Sequence, residues 1–489
     1  MSSPTYGRRV ARGDTSFRRA LTLVFMSLVL PGSGHLVMGR RRLGRGILRV
    51  FMVLIALAVL FGLIALVKHS WALWITTEVG FGGRWLLLLR WGVIILGLAW
   101  AAVVVHAYVL ANPPSISHDR RMIATVVTFA VAAVILVPTY WLSDLAQSQR
   151  QLLSSTFVPG TADLGDRVNI LLLGGDAGDD RVGLRPDSIN LASVDVKTGR
   201  AVLFGLPRNM EGALFPEDSP LHDEFPDGFR CADDKCMING VYTWANDHPD
   251  LFPAGLTDTE RGTQAMREVV SATLGVDVPY YALVDLSGFE NIVNALGGIT
   301  INVQSRVPIG GNADDPSAPV EGYIEPGLQV LNGHEALWYS RSRTGASDYA
   351  RMVRQRCVMG AILREASPTT VITKYKELAS AAESTISTNI PQGVVPALVQ
   401  LALRAKSQPL SSVQFVPPLI PNTAHPDFDE IHDIVQQAIH DSMSAPAAAP
   451  STSAPTGDGG ETGGGSTGTA TPSGDPAAPV NVDEVCSYS

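Results

Sequence analysis

Acidic residues are scarce at the front of this 489-residue chain. Residues 1–150 carry 4 Asp+Glu against 16 Lys+Arg, and the remainder carries 42 against 21, so a net charge of −9 joins a basic front to an acidic back. An acidic back cannot coat nucleic acid by bulk electrostatics, which excludes that class of partner. Any anion bound there has to be met by a local cluster of arginines. Familiar catalytic signatures are missing as well. There is no G-x-S-x-G elbow, no Walker loop and no H-E-x-x-H pair, so neither an elbow serine nor a P-loop nor a zincin helix carries the chemistry. Cysteine is rare, with 4 residues, a number that fits an oxidising compartment. Cys231 and Cys236 stand five apart in an acidic loop, and a local disulfide is expected. A zinc site would need two more ligands, and only His222 and His248 are near, at poor spacing. The partners of Cys357 and Cys486 stay open.

Long apolar runs are what the front does have. Segments 46–67, 85–111 and 122–142 are each long enough to cross a hydrocarbon core, which takes about 20 apolar residues. An earlier run, 20–38, is broken by Pro31-Gly32-Ser33-Gly34-His35 and has arginines on both flanks: Arg8, Arg9, Arg12, Arg18 and Arg19 before it, Arg40, Arg41, Arg42 and Arg45 after it. Positive flanks favour the cytoplasm, so this run is expected to re-enter or lie in the interface rather than span. Basic residues after the run and the lack of a small-residue cleavage site argue against a signal peptide. With the N-terminus inside, the first outward loop holds only Lys68, Glu78 and Arg84, and the inward loop carries His118, Arg120 and Arg121. Everything after residue 143 is then outside. The expected organisation is a multi-pass plasma-membrane anchor over 1–143, a polar stalk over 144–166, an extracytoplasmic domain over 167–442 and a disordered Ala/Pro/Gly/Ser/Thr tail over 443–489.

The outer part reads as α/β. Residues 168–173 are a continuous apolar run closed by Gly174-Gly175, the pattern of a central strand buried on both faces. Strands follow over 188–196 and 201–206. Thr257-Asp258-Thr259-Glu260 and Ser287-Gly288-Phe289-Glu290 read as capping boxes opening helices that stop at Gly275 and Gly297. Strands at 280–285 and 299–303 flank the second helix. Further helices are expected over 348–366, 371–378 and 394–405, and a late strand over 412–416. Alternation of this kind predicts an α/β/α-type layered sandwich with a mixed central sheet, preceded by an all-α transmembrane region.

Charged residues gather at the ends of these elements. Asp176 follows the buried strand across two glycines, at a strand end where open α/β sheets bind ligands. Arg185-Pro186-Asp187 opens the next strand and Arg208 closes the one after it. Arg341 and Arg343 would share a face if their segment is extended. In the helix from Asp348, Arg351, Arg354 and Gln355 occupy one side, leaving Val353, Cys357, Gly360 and Ala361 for the core. Guanidiniums converging in an acidic domain call for a strong anion, and diphosphate fits their fork. Carboxylates among them are natural Mg²⁺ ligands. Each arginine taken singly is equally a surface ion-pair partner, and Asp348 an ordinary helix-terminal carboxylate.

Seven pieces in order carry a resemblance: NILLLGGD, RPDSINLASVD, LPRN, INGVYTWA, FENIVNALGGITINV, PGLQVLNGHEALWYSRSR and DYARMVRQR. From about residue 167 to 363 the chain resembles the LytR-CpsA-Psr family of cell-wall glycopolymer ligases. The resemblance implies an enzyme, a phosphotransferase moving a glycopolymer from a polyprenyl diphosphate carrier to a peptidoglycan hydroxyl, with the polyprenyl tail in an apolar tunnel and Mg²⁺ at the diphosphate. It implies Asp176 and Asp187 as metal carboxylates, and Arg185, Arg208, Arg341, Arg343, Arg351, Arg354 and Gln355 as the diphosphate clamp. Arg341, Arg343 and Asp187 would be closest to the chemistry, and polyprenyl-pyrophosphatase side activity is possible in such a site. Asn209 stands where many members have Asp and Met237 where Lys is common, which keeps a non-catalytic envelope scaffold or sensor as the second reading. By analogy with actinobacterial envelopes, the donor glycan would be arabinogalactan.

Overall fold

The structure, a computed structural model, describes residues 6–67, 84–111, 117–158, 160, 162–176, 184–231, 236–312, 315–444 and 479–486. It divides into two compact units, Met1–Ser154 and Ser155–Ser489. The first is helical: α1 (Tyr6–Val29), α2 (Ser33–Val37), α3 (Arg41–Val67), α4 (Arg84–Ala111) and α5 (His118–Thr156). The break expected in the first apolar run falls between α1 and α2, where Gly32 has φ 92° and a Cβ would stand 2.7 Å from the Gly44 carbonyl oxygen. Val24 of α1 packs with Val104 and Tyr108 of α4, and His35 Nε2 lies 2.9 Å from His106 Nδ1. Among the described residues two stretches, Leu86–Ala111 and His118–Leu152, are long and apolar enough to cross a membrane. The run 46–67 lies on α3, which starts earlier, at Arg41. Lys68 and Glu78 lie outside the described residues. The expected stalk is helical as far as Thr156, because the Ser- and Gln-rich stretch continues α5 without a breaker.

The second unit is mixed α/β. Its elements run β1 (Arg167–Asp176), β2 (Arg185–Asp195), β3 (Ala201–Leu206), α6 (Pro220–Glu224), α7 (Val241–Asp247), α8 (Asp258–Leu274), β4 (Tyr280–Asp285), α9 (Leu286–Leu296), β5 (Ile299–Val303), β6 (Val307–Asn312), β7 (Asp315–Ile324) and β8 (Gly327–Leu331). They continue through α10 (Gly333–Arg341), α11 (Asp348–Glu365), α12 (Pro368–Thr373), α13 (Tyr375–Thr385), β9 (Ile386–Thr388), α14 (Val395–Ala405), β10 (Leu410–Gln414), α15 (Phe428–Ser444), β11 (Val480–Asn481) and α16 (Val482–Val485). Seven strands form the central sheet in the order β11-β10-β3-β2-β1-β4-β9. β1 runs parallel to β4 and β3 parallel to β10, while the other neighbours are antiparallel.

Strand alternation divides the work of the sheet between its faces. Leu171, Leu173, Ile189, Leu191 and Phe204 point into the main core, where Met266 and Val269 of α8 and Ile431 and Val435 of α15 meet them. Leu172, Gly174, Ser188 and Asn190 point the other way, into a cavity roofed by α9, α10 and α11. The apolar run of β1 is thus covered on both sides, by packed core on one and by a lined void on the other. α8 opens on the capping box read from sequence: Thr257 N donates to Glu260 Oε2 at 2.8 Å, Glu260 N to Thr257 Oγ1 at 3.3 Å, and Gly275 ends it in the left-handed region.

Several elements differ from the sequence reading. α9 is capped by Asp285, whose Oδ1 accepts from Gly288 N at 2.6 Å, two residues before the expected Ser287. Arg341 is the last residue of a helix, not part of an extended segment, because Asn332 and Glu335 close a capping box at its start. Val353 is exposed, and Val358 takes the core position instead. The tail is not featureless throughout. Residues 445–478 lie outside the described residues, but β11 pairs with β10, Val482 is 1% exposed, and Cys486 is disulfide-bonded to Cys357. One buried valine and one covalent bond outweigh the poor composition around them. Cys231 and Cys236 are bonded to each other.

Arg356, on α11, is buried and has no carboxylate partner among the described residues. Its Nη1 donates to Ser412 Oγ at 3.0 Å, its Nε has no partner there, and burial pushes its pKa down to about 10. A lone buried charge is a liability that an apolar isostere removes. Arg356→Met is therefore expected to stabilise the fold by about 1–2 kcal/mol in urea unfolding; destabilisation would show that the charge has a partner worth more than its desolvation.

Candidate functional site

One face of α11 builds the site. Arg351, Gln355, Val358, Met359 and Ile362 all line the cavity, at the offsets 0, +4, +7, +8 and +11 that stack on one side of a helix. Ser347 caps this helix by accepting from Ala350 N at 3.1 Å, which places Asp348 in the first turn. β1, β2 and β4 supply the floor, and Phe289, Ile292 and Leu337 close the roof. The cavity volume is about 260 Å³. The walls are mostly apolar, with Ser188 and Asn190 on the floor and the charged or amide groups of Asp187, Asp285, Arg341, Arg351 and Gln355 among the lining. An apolar molecule bearing an anionic group is the chemistry such a lining matches.

The charged groups around Arg351 are an interlocked set. Arg208 Nη1 donates to Asp187 Oδ1 at 2.7 Å, and Arg208 Nε lies 3.4 Å from Asp348 Oδ1. Arg351 Nη2 stands 3.1 Å from Asp348. Arg351 is 1% exposed. Burial lowers its pKa, the carboxylates of Asp348 and Asp187 oppose that, and Arg208 adds to the lowering. It stays charged because a guanidinium starts so high. Arg351 Nε has no hydrogen-bond partner among the described residues, so a buried donor is left for something else. Arg341 lines the cavity with its guanidinium 5.6 Å from the centre of the Trp338 ring.

The other residues singled out by sequence are placed differently. Arg185 is exposed at the start of β2, and its backbone pairs in register with Asp176. The Asp176 side chain lies outside what is described. Arg343 follows α10 and is half-buried, but does not line the cavity. Arg354 does not line the cavity: its Nε donates to the Tyr339 carbonyl at 2.7 Å and its Nη2 to the Ser342 carbonyl. Helix phase is the reason, since three residues of rotation from Arg351 carry it off the cavity face toward α10. Asn209 Nδ2 reaches Thr423 Oγ1 at 3.4 Å, away from the charged set, and Met237 bridges Glu211 through its backbone. Sequence reasoning missed the ion pairs of Asp348 and the polar floor of Ser188 and Asn190, whose side chains bond at 2.8 Å. The Asp-x-x-Arg spacing on one helix was the available signal for the first.

Among the described residues no three His, Cys, Asp or Glu side chains gather as a metal cage. Mg²⁺ does not require one, since it commonly takes one or two carboxylates together with substrate phosphate oxygens. Asp348 Oδ1 makes no hydrogen bond although two guanidiniums lie within ion-pair reach, and Asp187 stands on the other side of Arg208. Of the two, Asp187, which lines the cavity and bonds Arg208, is the carboxylate that fits a phosphate-bound Mg²⁺.

Residues 144–425 match the LytR_cpsA_psr family model, and the chain belongs to that family. It is similar to Biofilm regulatory protein A of Streptococcus mutans, 28% identical over 228 residues, which are 45% of this chain and 50% of that protein. It is also similar to the polyisoprenyl-teichoic acid–peptidoglycan teichoic acid transferase TagU of Oceanobacillus iheyensis, 29% identical over 227 residues, 46% of this chain and 59% of the other. A crystal structure of protein gbs0355 from Streptococcus agalactiae covers 58% of this chain and 90% of its own, at 22% identity and a TM-score of 0.43. The chain spans about half the length of the curated relatives it matches.

Proposed function

We propose that this chain is a transferase that moves a glycopolymer from a polyprenyl diphosphate carrier to peptidoglycan, leaving the polymer joined through a phosphodiester. The observation that carries this reading is a mostly apolar cavity whose lining includes Arg341, Arg351 and Gln355. The polyprenyl tail would occupy the cavity and the diphosphate would meet its arginines. An acceptor hydroxyl oxygen bonds to the polymer-linked phosphorus, the bridging P–O bond breaks, and polyprenyl phosphate departs. Arg341 and Arg351 stabilise the charge that develops on the phosphoryl and leaving oxygens. Asp348 is the described carboxylate left for the hydroxyl proton. Mg²⁺ held by Asp187 with Asp176 would neutralise diphosphate charge. The name borne by the Oceanobacillus relative supports the polymer-to-peptidoglycan class.

In the same reading the helical unit is a multi-pass plasma-membrane anchor, the second unit is an extracytoplasmic α/β/α sandwich, and the donor glycan is arabinogalactan. Full-length protein in detergent should release polyprenyl phosphate from a polyprenyl diphosphate donor in the presence of Mg²⁺. Arg341→Ala should lower that rate about 100-fold or more. An Arg341→Ala protein with unchanged turnover would remove this arginine from the clamp. Tight binding with no turnover against any acceptor would favour the scaffold reading.

A further inference from the structure

We propose that Arg354 is a positioning residue, which fixes the two segments bearing Arg341 and Arg351 to one another and sets where Arg341 stands. The inference rests on the reading of the cavity's arginines as an anion site. α10 ends at Arg341, so its last carbonyls have no partner within their own helix. Three of the carbonyls around that end are met from α11. Tyr339 O accepts from Arg354 Nε at 2.7 Å, Ser342 O accepts from Arg354 Nη2, and Ser340 O accepts from Gln355 Nε2 at 3.3 Å. One planar guanidinium thus spans the last turn of α10 and the residue after it, with Arg341 lying between its two points of attachment. The Tyr339 ring face adds a further contact, 6.0 Å from the guanidinium carbon.

The placement suits a cation for a second reason. The C-terminal end of a helix carries partial negative charge, and an arginine there both satisfies carbonyls and opposes the dipole. Burial lowers the Arg354 pKa and the neighbouring Tyr339 opposes the shift, which leaves the group charged. Arg351, three residues earlier on the same helix, takes the opposite assignment: it bonds Asp348 and lines the cavity. Two arginines of one motif therefore divide into one that faces the anion and one that holds the other helix. A fork spanning two carbonyls cannot be replaced by a lysine, whose point charge reaches one of them. That separates a geometric role from a simply electrostatic one.

Full-length protein in detergent and its Arg341→Gln, Arg354→Gln, Arg354→Lys and Arg341→Gln/Arg354→Gln variants should be titrated with farnesyl diphosphate by calorimetry. Arg341→Gln is expected to weaken binding about 10- to 100-fold, and Arg354→Gln about 10-fold. The double variant should bind within about 2-fold of Arg341→Gln alone, since Arg354 acts through the residue already removed. Arg354→Lys should be as weak as Arg354→Gln. Multiplying losses in the double variant, or wild-type affinity in either single Arg354 variant, would overturn the proposal. Hydrogen exchange of the ligand-free proteins decides the case separately from any ligand. In Arg354→Gln the amides of residues 339–343 should exchange about 10-fold faster while those of 171–173 hold. Unchanged exchange at 339–343 overturns the positioning role. Wild-type protein that ignores farnesyl diphosphate, with accelerated exchange in the variant, sinks the anion-site reading and leaves the helix tie standing.

Discussion

Arg351→Ala is expected to cost both turnover and stability, and to be the most damaging single change in the charged set. Its side chain is enclosed at 1% exposure, bonds Asp348, and keeps a free Nε beside the cavity. Removing it leaves Asp348 with Arg208 alone, 3.4 Å away, in a site that was neutralised by two guanidiniums. Breaking a buried pair from one side costs about 3 kcal/mol, because the remaining charge keeps its desolvation penalty. Removing a preorganised donor from a developing oxyanion costs about 100- to 1000-fold in rate. Urea unfolding and diphosphate turnover of the same preparation read the two losses together. A variant that loses turnover and keeps wild-type stability would show that Asp348 is held by something other than Arg351. Arg351→Lys should recover part of the stability and little of the rate, since an ammonium cannot make the fork.

Cys486→Ser is expected to have the second largest effect, on stability alone. The Cys357–Cys486 bond closes a separation of 129 residues, a length for which chain entropy gives about 4–5 kcal/mol, with measured losses nearer 2–4 kcal/mol. The bond also holds Val482 against Gly360, where an added Cβ would come within 2.9 Å of Val482 Cγ1. Arg364 Nη1 bonds Asp483 Oδ1 at 2.6 Å on the same face, although both side chains are well exposed and that pair adds little. A denaturation midpoint unmoved by the substitution would mean that β11 and α16 dock without the covalent link. Cys231→Ser should matter far less, because that bridge closes a separation of 5.

What the sequence makes legible follows from the length scale of each signal. β1 and α8 are readable because an uninterrupted apolar run and a Thr257–Glu260 capping box are local patterns. The polar face of α11 is readable, since Arg351 and Gln355 fall one helical turn apart. Which arginine lines the cavity is not, because Arg351 and Arg354 differ only in helix phase relative to α10, and α10 was itself hidden. Its Asn332–Glu335 box was the overlooked signal. The cavity leaves no mark at all: Leu172, Ala282 and Val284 look like any buried strand face, and Met359 and Ile362 like any core stripe. A void is a property of packing between elements, and single-element periodicity does not report it. In the tail, one Val and one Cys among glycines and prolines are too few to shift a composition, yet they suffice to dock it.

The pairing of β11 with β10 makes one edge of the central sheet wait for the last described strand of the chain. As the chain is synthesised from its N-terminus, β10 emerges with one side of its backbone bare and stays so while more than sixty further residues follow. Unpaired strand edges recruit other chains. The interval between the arrival of residue 414 and that of residue 480 is then the time during which neighbouring copies can join edge to edge. A chain trimmed ahead of β11 would keep every residue of the cavity and its arginines, and would lose its protection from association with its own kind.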